Sequence, residues 1–200
     1  MDSPADAAHP IHPLLAQRWS RLAYDRRPIP TATLRTLFEA ARWAASSMNE
    51  QPWRFLLARR EDAPTFQALL GTLAPGNAVW AKDAGALILG AHTTRFARND
   101  RPNPWAPHDL GMAVAQLVLQ ATAEGLVCRA MGGFDADAAR AALALPEDVS
   151  PVAVLAVGYP GDHDALDEGL QARERSPRTR APQEDFVFEG RFGQPWRDRE

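Results

Sequence analysis

Two hundred residues, 46% of them hydrophobic and 24% charged, describe one ordinary globular domain. A formal net charge of −3 leaves no basic footprint for nucleic acid, and no apolar run reaches the ~18–20 residues that span a bilayer. The single cysteine, Cys128, excludes an internal disulfide, a redox-active pair and a thiolate metal site.

Residues 1–10 are acidic, Ala-rich and Pro-containing, and read as a frayed tail. They lack the basic start and apolar core of a secretory leader, so a cytoplasmic location is expected. The remainder, 11–200, reads as a single domain. Arg18-Trp19-Ser20 follows a short apolar helical turn. Pro28 and Pro30 bar an early helix start, and Leu34, Leu37, Phe38 and Ala41 then fall at i, i+3, i+4 and i+7. That spacing predicts an amphipathic helix over 32–45.

The helix closes on Ala45-Ser46-Ser47-Met48-Asn49-Glu50-Gln51-Pro52-Trp53. Small hydroxyls and amides crowd into a corner that Pro52 makes rigid. Uncharged donors and acceptors on a rigid frame suit a ligand with carbonyl and ring-nitrogen edges. A capped helix end followed by a turn is the plain structural alternative. A strand follows over 53–59. Phe66, Leu69, Leu70 and Leu73 give a shorter helix that ends near Pro75-Gly76, with Asn77 as a turn residue. Residues 84–91 are nearly uninterrupted apolar and predict a fully buried strand.

The segment 92–108 differs in kind. It holds Arg95, Arg98, Arg101, three prolines, Phe96 and Trp105. Its length suits either a lid over a site or a solvated excursion. Residues 109–124 are apolar almost all round, which predicts a helix in the centre of the domain or across a dimer interface. Asp109 is placed to cap its start and Gly125 its end. Cys128, in apolar surroundings, reads as a buried inert thiol. Met131-Gly132-Gly133-Phe134-Asp135 precedes a helix over 135–145, with Asp135 as N-cap. The paired glycines make a turn, and also let backbone approach a flat ring closely. A second buried strand over 152–157 stops at Gly158-Tyr159-Pro160. From 162 to 180 the chain is polar, with Arg173, Arg175, Arg178 and Arg180 forming a basic cluster fit for a small anion. Phe186-Val187-Phe188 is a short apolar segment near the end.

Several chemistries find no support. No Gly-x-Gly-x-x-Gly follows a strand, so a Rossmann domain is not expected. The five histidines show no metal-ligand spacing. No Gly-x-Ser-x-Gly elbow exists. His108-Asp109 suggests a dyad, but helix capping explains Asp109 better. No side chain is assigned as catalytic acid or base.

Four segments in order carry a family resemblance. They are Arg18-Trp19-Ser20, the Ser46-Ser47-Met48-Asn49-Glu50-Gln51-Pro52-Trp53 run, Met131-Gly132-Gly133, and Arg178-Thr179-Arg180. From about residue 12 to about 192 the chain resembles the nitroreductase family of FMN-dependent oxidoreductases. The resemblance implies an α+β fold, a three-layer α/β/α sandwich around a mixed, mainly antiparallel sheet. It implies an intertwined homodimer with FMN at the subunit interface. It places Arg18, Trp19, Ser20, Arg178 and Arg180 at the FMN phosphate and ribityl chain. It places Asn77, Met131, Gly132 and Gly133 beside the flavin, and Ser46, Ser47 and Asn49 reaching across from the partner. A backbone donor beside the ring would favour the electron-rich reduced flavin. Gln51 and Trp53 read as structural. Leu22 stands where the family often has a basic residue, and Ala45 where it usually has proline.

The implied activity is transfer of a hydride from NADH or NADPH, through FMN, to a small electron-poor acceptor such as a nitroaromatic or quinone. The expected kinetics are ping-pong, with Phe96 and Trp105 shaping the acceptor's space. Nucleic acid, membrane and metal have no part in this reading. A flavin-dependent dehydrogenase or dehalogenase of the same fold, or a flavin-binding protein without turnover, stays open at this point.

Overall fold

Alternation along two strands sets the architecture of the chain, which the computed structural model describes over residues 4–196. On β3 (Ala86–Thr93), Ala86 and Ile88 enter one core while Leu87 and Leu89 enter another. On β5 (Val149–Pro160), Leu155 and Val157 join the first core, and Val154 and Ala156 the second. Successive strand side chains point to opposite faces, so an unbroken apolar run demands cover on both.

Helices supply that cover. On one face lie α2 (Thr31–Arg42) and α5 (Ala106–Ala123), contributing Leu34, Leu37, Ala41, Ala113, Leu117 and Ala121. On the other lie α3 (Ala63–Leu70), α4 (Pro75–Ala81) and α6 (Ala136–Ala142), contributing Phe66, Leu69, Trp80, Ala81 and Ala139. The result is the expected three-layer α/β/α sandwich.

Among the described residues the sheet has five strands. β2 (Trp53–Arg59) pairs with β3, β3 with β5, and β5 with both β4 (Val127–Met131) and the short β1 (Tyr24–Asp25). Every one of these pairings is antiparallel. The outer edges are therefore β2 on one side and β4 on the other. β1 is seated very closely: a Cβ at Gly161 would lie 2.4 Å from the Tyr24 carbonyl carbon. The Gly161 N–H also donates to the Ala23 carbonyl at 3.0 Å.

Most predicted elements form close to their expected bounds, and Asp135 caps α6 by accepting from the Asp137 and Ala138 N–H groups. Four features differ. α4 forms where Pro75-Gly76-Asn77 reads as a turn, because Pro75 is pre-set for a first helical position. β4 forms after Leu126 with the charged Arg129 at its centre. α5 begins three residues early, so Asp109 sits inside it rather than at its cap. α5 also buries one face only, leaving Met112 40% exposed in the single chain. Within the polar stretch after 162, α7 (Glu168–Glu174) is capped by Asp167, whose side chain accepts from Leu170 N–H at 2.8 Å. Ahead of α1 (Pro13–Gln17), the Ala5 N–H donates to the Ala16 carbonyl at 2.9 Å. Residues 1–3 of the expected tail lie outside the described residues. Among the described residues no helix is long and apolar enough to cross a membrane.

Candidate functional site

The sequence-predicted residues gather into two groups. The first is tied to β4 through Arg129, whose guanidinium donates to the Ser20 carbonyl, and it joins segments from the two ends of the chain. Arg18 closes α1, and its guanidinium donates to the Ser20 hydroxyl at 3.1 Å. The Arg178 guanidinium donates to the carbonyls of Ala16 at 3.1 Å and Arg18 at 2.7 Å. Arg180 is exposed and donates to the Thr179 carbonyl. Burial and the neighbouring guanidiniums of Arg18 and Arg180 hold Arg178 below the usual arginine value. Trp19 lies beside them, with the Arg21 guanidinium 5.4 Å from its ring centroid.

The place where a further basic residue was considered is filled otherwise. Leu22 is 1% exposed and belongs to the core, and Arg21 turns to the Glu174 carboxylate at 3.4 Å. Neither offers a second basic contact on that stretch.

The same end carries the glycine strip. β4 ends at Met131, whose side chain is buried in the core, and Gly132 and Gly133 continue it in the open. A Cβ at Gly132 would meet nothing within 4 Å, so its backbone borders free space. A Cβ at Gly133 would lie 2.9 Å from the Asn77 amide nitrogen. Asn77, on the first turn of α4, donates to the Gly133 carbonyl at 3.1 Å. α7 reaches the same corner through Arg173, which donates to the Gly76 carbonyl at 3.4 Å.

The second group lies at the β2 edge. Residues 46–51 turn from α2 into β2, and Met48, Asn49 and Gln51 have φ of 55°, 57° and 52°. Left-handed backbone suits asparagine, but it strains Met48 and Gln51. Hydrogen bonds hold the turn. Gln51 N–H donates to the Ser46 hydroxyl at 3.1 Å, and the Gln51 amide donates to the Asn49 side chain at 3.1 Å. The Asp109 carboxylate, 2% exposed on α5, accepts from Ser47 N–H at 3.0 Å and faces His108 Nδ1 at 3.1 Å. The expected capping role of Asp109 is replaced by this grip on the corner.

Segment 92–108 packs on that corner. It comprises the end of β3, a short loop pinned by an Arg95–Pro102 bridge, and the first turn of α5. The Ala97 N–H donates to the Glu50 carboxylate, and Arg98 reaches the Met48 sulfur at 3.3 Å. Phe96 is half-buried under Arg98, and Trp105 is 56% exposed.

Two other features bear on reactivity. Cys128 is buried, and burial pushes its thiol up to about 12, which leaves it a protonated, inert group as expected. Among the described residues no group of His, Cys, Asp and Glu is placed to hold a metal ion. A groove of about 490 Å³ between α2 and α5, beside Arg35, Trp43 and Gln120, is lined by none of the predicted site residues.

This fold and this pair of residue groups define a class. The description "Nitroreductase family" matches residues 15–159, and the chain belongs to that family. A solved structure described as an oxidoreductase containing FMN superposes with a TM-score of 0.88 at 34% identity, covering 94% of this chain and 96% of its own. An uncharacterized 15.4 kDa protein from the ask 5′ region of Mycolicibacterium smegmatis is 38% identical over 149 residues, 71% of this chain and 99% of that protein. A protein named NADH dehydrogenase from Thermus thermophilus is 28% identical over 200 residues, covering 86% and 92% respectively.

Proposed function

We propose that the chain is an FMN-dependent oxidoreductase that passes a hydride from NADH or NADPH to a small electron-poor acceptor. The observation that carries this reading is the meeting of Arg18 and Ser20 with Arg178 and Arg180, drawn from opposite ends of the chain. A donor set in which Arg178 is tied to the backbone that carries Arg18 and Ser20 suits a dianionic phosphate. The donor set therefore fits FMN, and the open face of Gly132 fits a flat ring beside it.

FMN, when bound, supplies the chemistry of accepting and releasing a hydride. The protein supplies position and electrostatics. Arg18, Ser20 and Arg180 hold the phosphate end, and Arg178 also ties the Arg18 backbone in place. Gly132 and Gly133 bring bare backbone beside the ring, with Asn77 bracing the strip. Met131 contributes through its backbone, since its side chain is core.

The second group belongs to the site through dimerisation. As the family resemblance implies, Ser46, Ser47 and Asn49 would serve the flavin of a partner copy. The outward faces of α2 and α5, with Trp43 72% and Met112 40% exposed, suit burial in such a homodimer. Phe96 and Trp105 border the space that NAD(P)H and the acceptor occupy in turn. A cytoplasmic location belongs to the same reading.

Initial rates at several NAD(P)H and quinone concentrations test it. Parallel double-reciprocal lines are expected, because donor and acceptor alternate in one space. Intersecting lines would mean that both bind together. No NAD(P)H oxidation with any nitroaromatic or quinone acceptor would overturn the enzymatic reading.

A further inference from the structure

Glu174 is the buried charge that the site above leaves unexplained. It is 4% exposed at the last turn of α7, four residues before Arg178. One carboxylate oxygen accepts from Leu22 N–H at 2.8 Å and Ala23 N–H at 3.4 Å, and also faces Arg21 Nε at 3.4 Å. The other faces His163 Nδ1 at 2.8 Å. An ionised carboxylate only accepts, so the His163 ring carries its proton on Nδ1. His163 Nε2 is buried with no partner among the described residues. Burying a carboxylate is costly unless its oxygens are satisfied, and here both are.

The residues it grips matter. Leu22 and Ala23 follow Arg18-Trp19-Ser20 after one intervening residue, Arg21. The Arg129 guanidinium, from β4, donates to the Ser20 carbonyl on the same stretch. Arg178 donates to the Ala16 and Arg18 carbonyls from the other side. The stretch bearing Arg18 and Ser20 is thus held at three successive points by α7, β4 and the segment after α7.

We infer that Glu174 and Arg129 are positioning residues for the phosphate end of the proposed FMN site: they fix the Arg18–Ser20 stretch against the Arg178 segment before the anion arrives. The inference rests on the FMN reading. Preorganisation of this kind raises affinity because the binding anion need not order its own ligands.

The test compares FMN with riboflavin, which lacks the phosphate, by flavin-fluorescence titration of the full-length chain freed of flavin. Glu174→Gln leaves one neutral acceptor in place of the carboxylate, which weakens the bonds to the Leu22 and Ala23 N–H groups, and sets an amide NH2 against the His163 Nδ1–H, so the grip on this stretch loosens. This variant is expected to weaken FMN binding at least tenfold and riboflavin binding by no more than about threefold. Arg129→Met, which frees the Ser20 carbonyl, is expected to do the same, and it decides the matter if the Gln variant does not fold. Equal weakening of both flavins would show that these residues act through the fold alone, and an unchanged FMN affinity would show no role. Either result overturns the inference. A parent protein that binds riboflavin as tightly as FMN would instead overturn the phosphate reading itself.

Discussion

Asp109 shows how a single side chain changes meaning between sequence and structure. Its position ahead of an apolar run reads as a helix cap, yet α5 starts three residues earlier and places the carboxylate in the interior. There it accepts from Ser47 N–H at 3.0 Å and so holds a corner in which Met48 and Gln51 adopt left-handed backbone. Such strain costs of order 1–3 kcal/mol per residue and persists only where the surroundings over-determine it. Asp109→Ala removes a charged acceptor from a partly buried N–H. We expect a loss of about 2 kcal/mol, which is roughly 4–8 °C in thermal midpoint for a chain of this size. Asp109→Asn keeps an acceptor and should lose less. Calorimetry of the two variants checks this, and an Ala variant as stable as the parent would remove Asp109 from the corner's support.

Among the elements, β1 is the short strand on which the N-terminal arm of the site depends. It pairs with β5 through Tyr24↔Pro160 and Asp25↔Tyr159 only, and Arg18 and Ser20 lie just ahead of it. Gly161 permits that pairing, because any Cβ there would collide with the Tyr24 backbone. Gly161→Ala should push β1 off β5 and lower the thermal midpoint by several degrees, with a matching loss of bound flavin. A variant that retains both would show that β1 has room to shift.

The contrast between legible and hidden elements has a physical cause. α2, β2, β3 and β5 carry 3.6-residue or two-residue apolar patterns, or unbroken apolar runs, and local pattern suffices for them. α4 has seven residues opening on Pro-Gly-Asn, too short to show a period. β4 alternates around Arg129, whose aliphatic stem and guanidinium lie over the Trp80 ring at 5.3 Å, a contact made only in the folded chain. At the proposed site, the resemblance picks out Arg18, Ser20, Gly132, Gly133, Arg178 and Arg180 through their motifs and Asn77 by its place, and the structure joins Arg18 to Arg178 and Asn77 to Gly133. Glu174 was not legible. It lies in a run of charged residues, and nothing local distinguishes a carboxylate that will be buried against backbone 151–152 residues away. Arg129 was hidden for a different reason: a lone charge in an apolar segment gives no local sign of the backbone carbonyl it will reach, at Ser20, 109 residues away.

At the scale of the whole molecule, the proposed site pairs the arginine group, tied to β4 through Arg129, with the corner that leads into β2, and in the proposed homodimer the two come from different copies. Light scattering at micromolar concentration should give twice the 21.9 kDa chain mass. A folded, flavin-loaded monomer would contradict the shared site. The claim on which all else depends is that the arginines gathered from both ends of the chain hold FMN. The flavin released from the purified protein by denaturation, identified by chromatography and quantified against chain concentration, tests it most directly. About one non-covalent FMN per chain is the expected result; recovery of FAD, or a purified chain that neither carries nor takes up FMN, would contradict it.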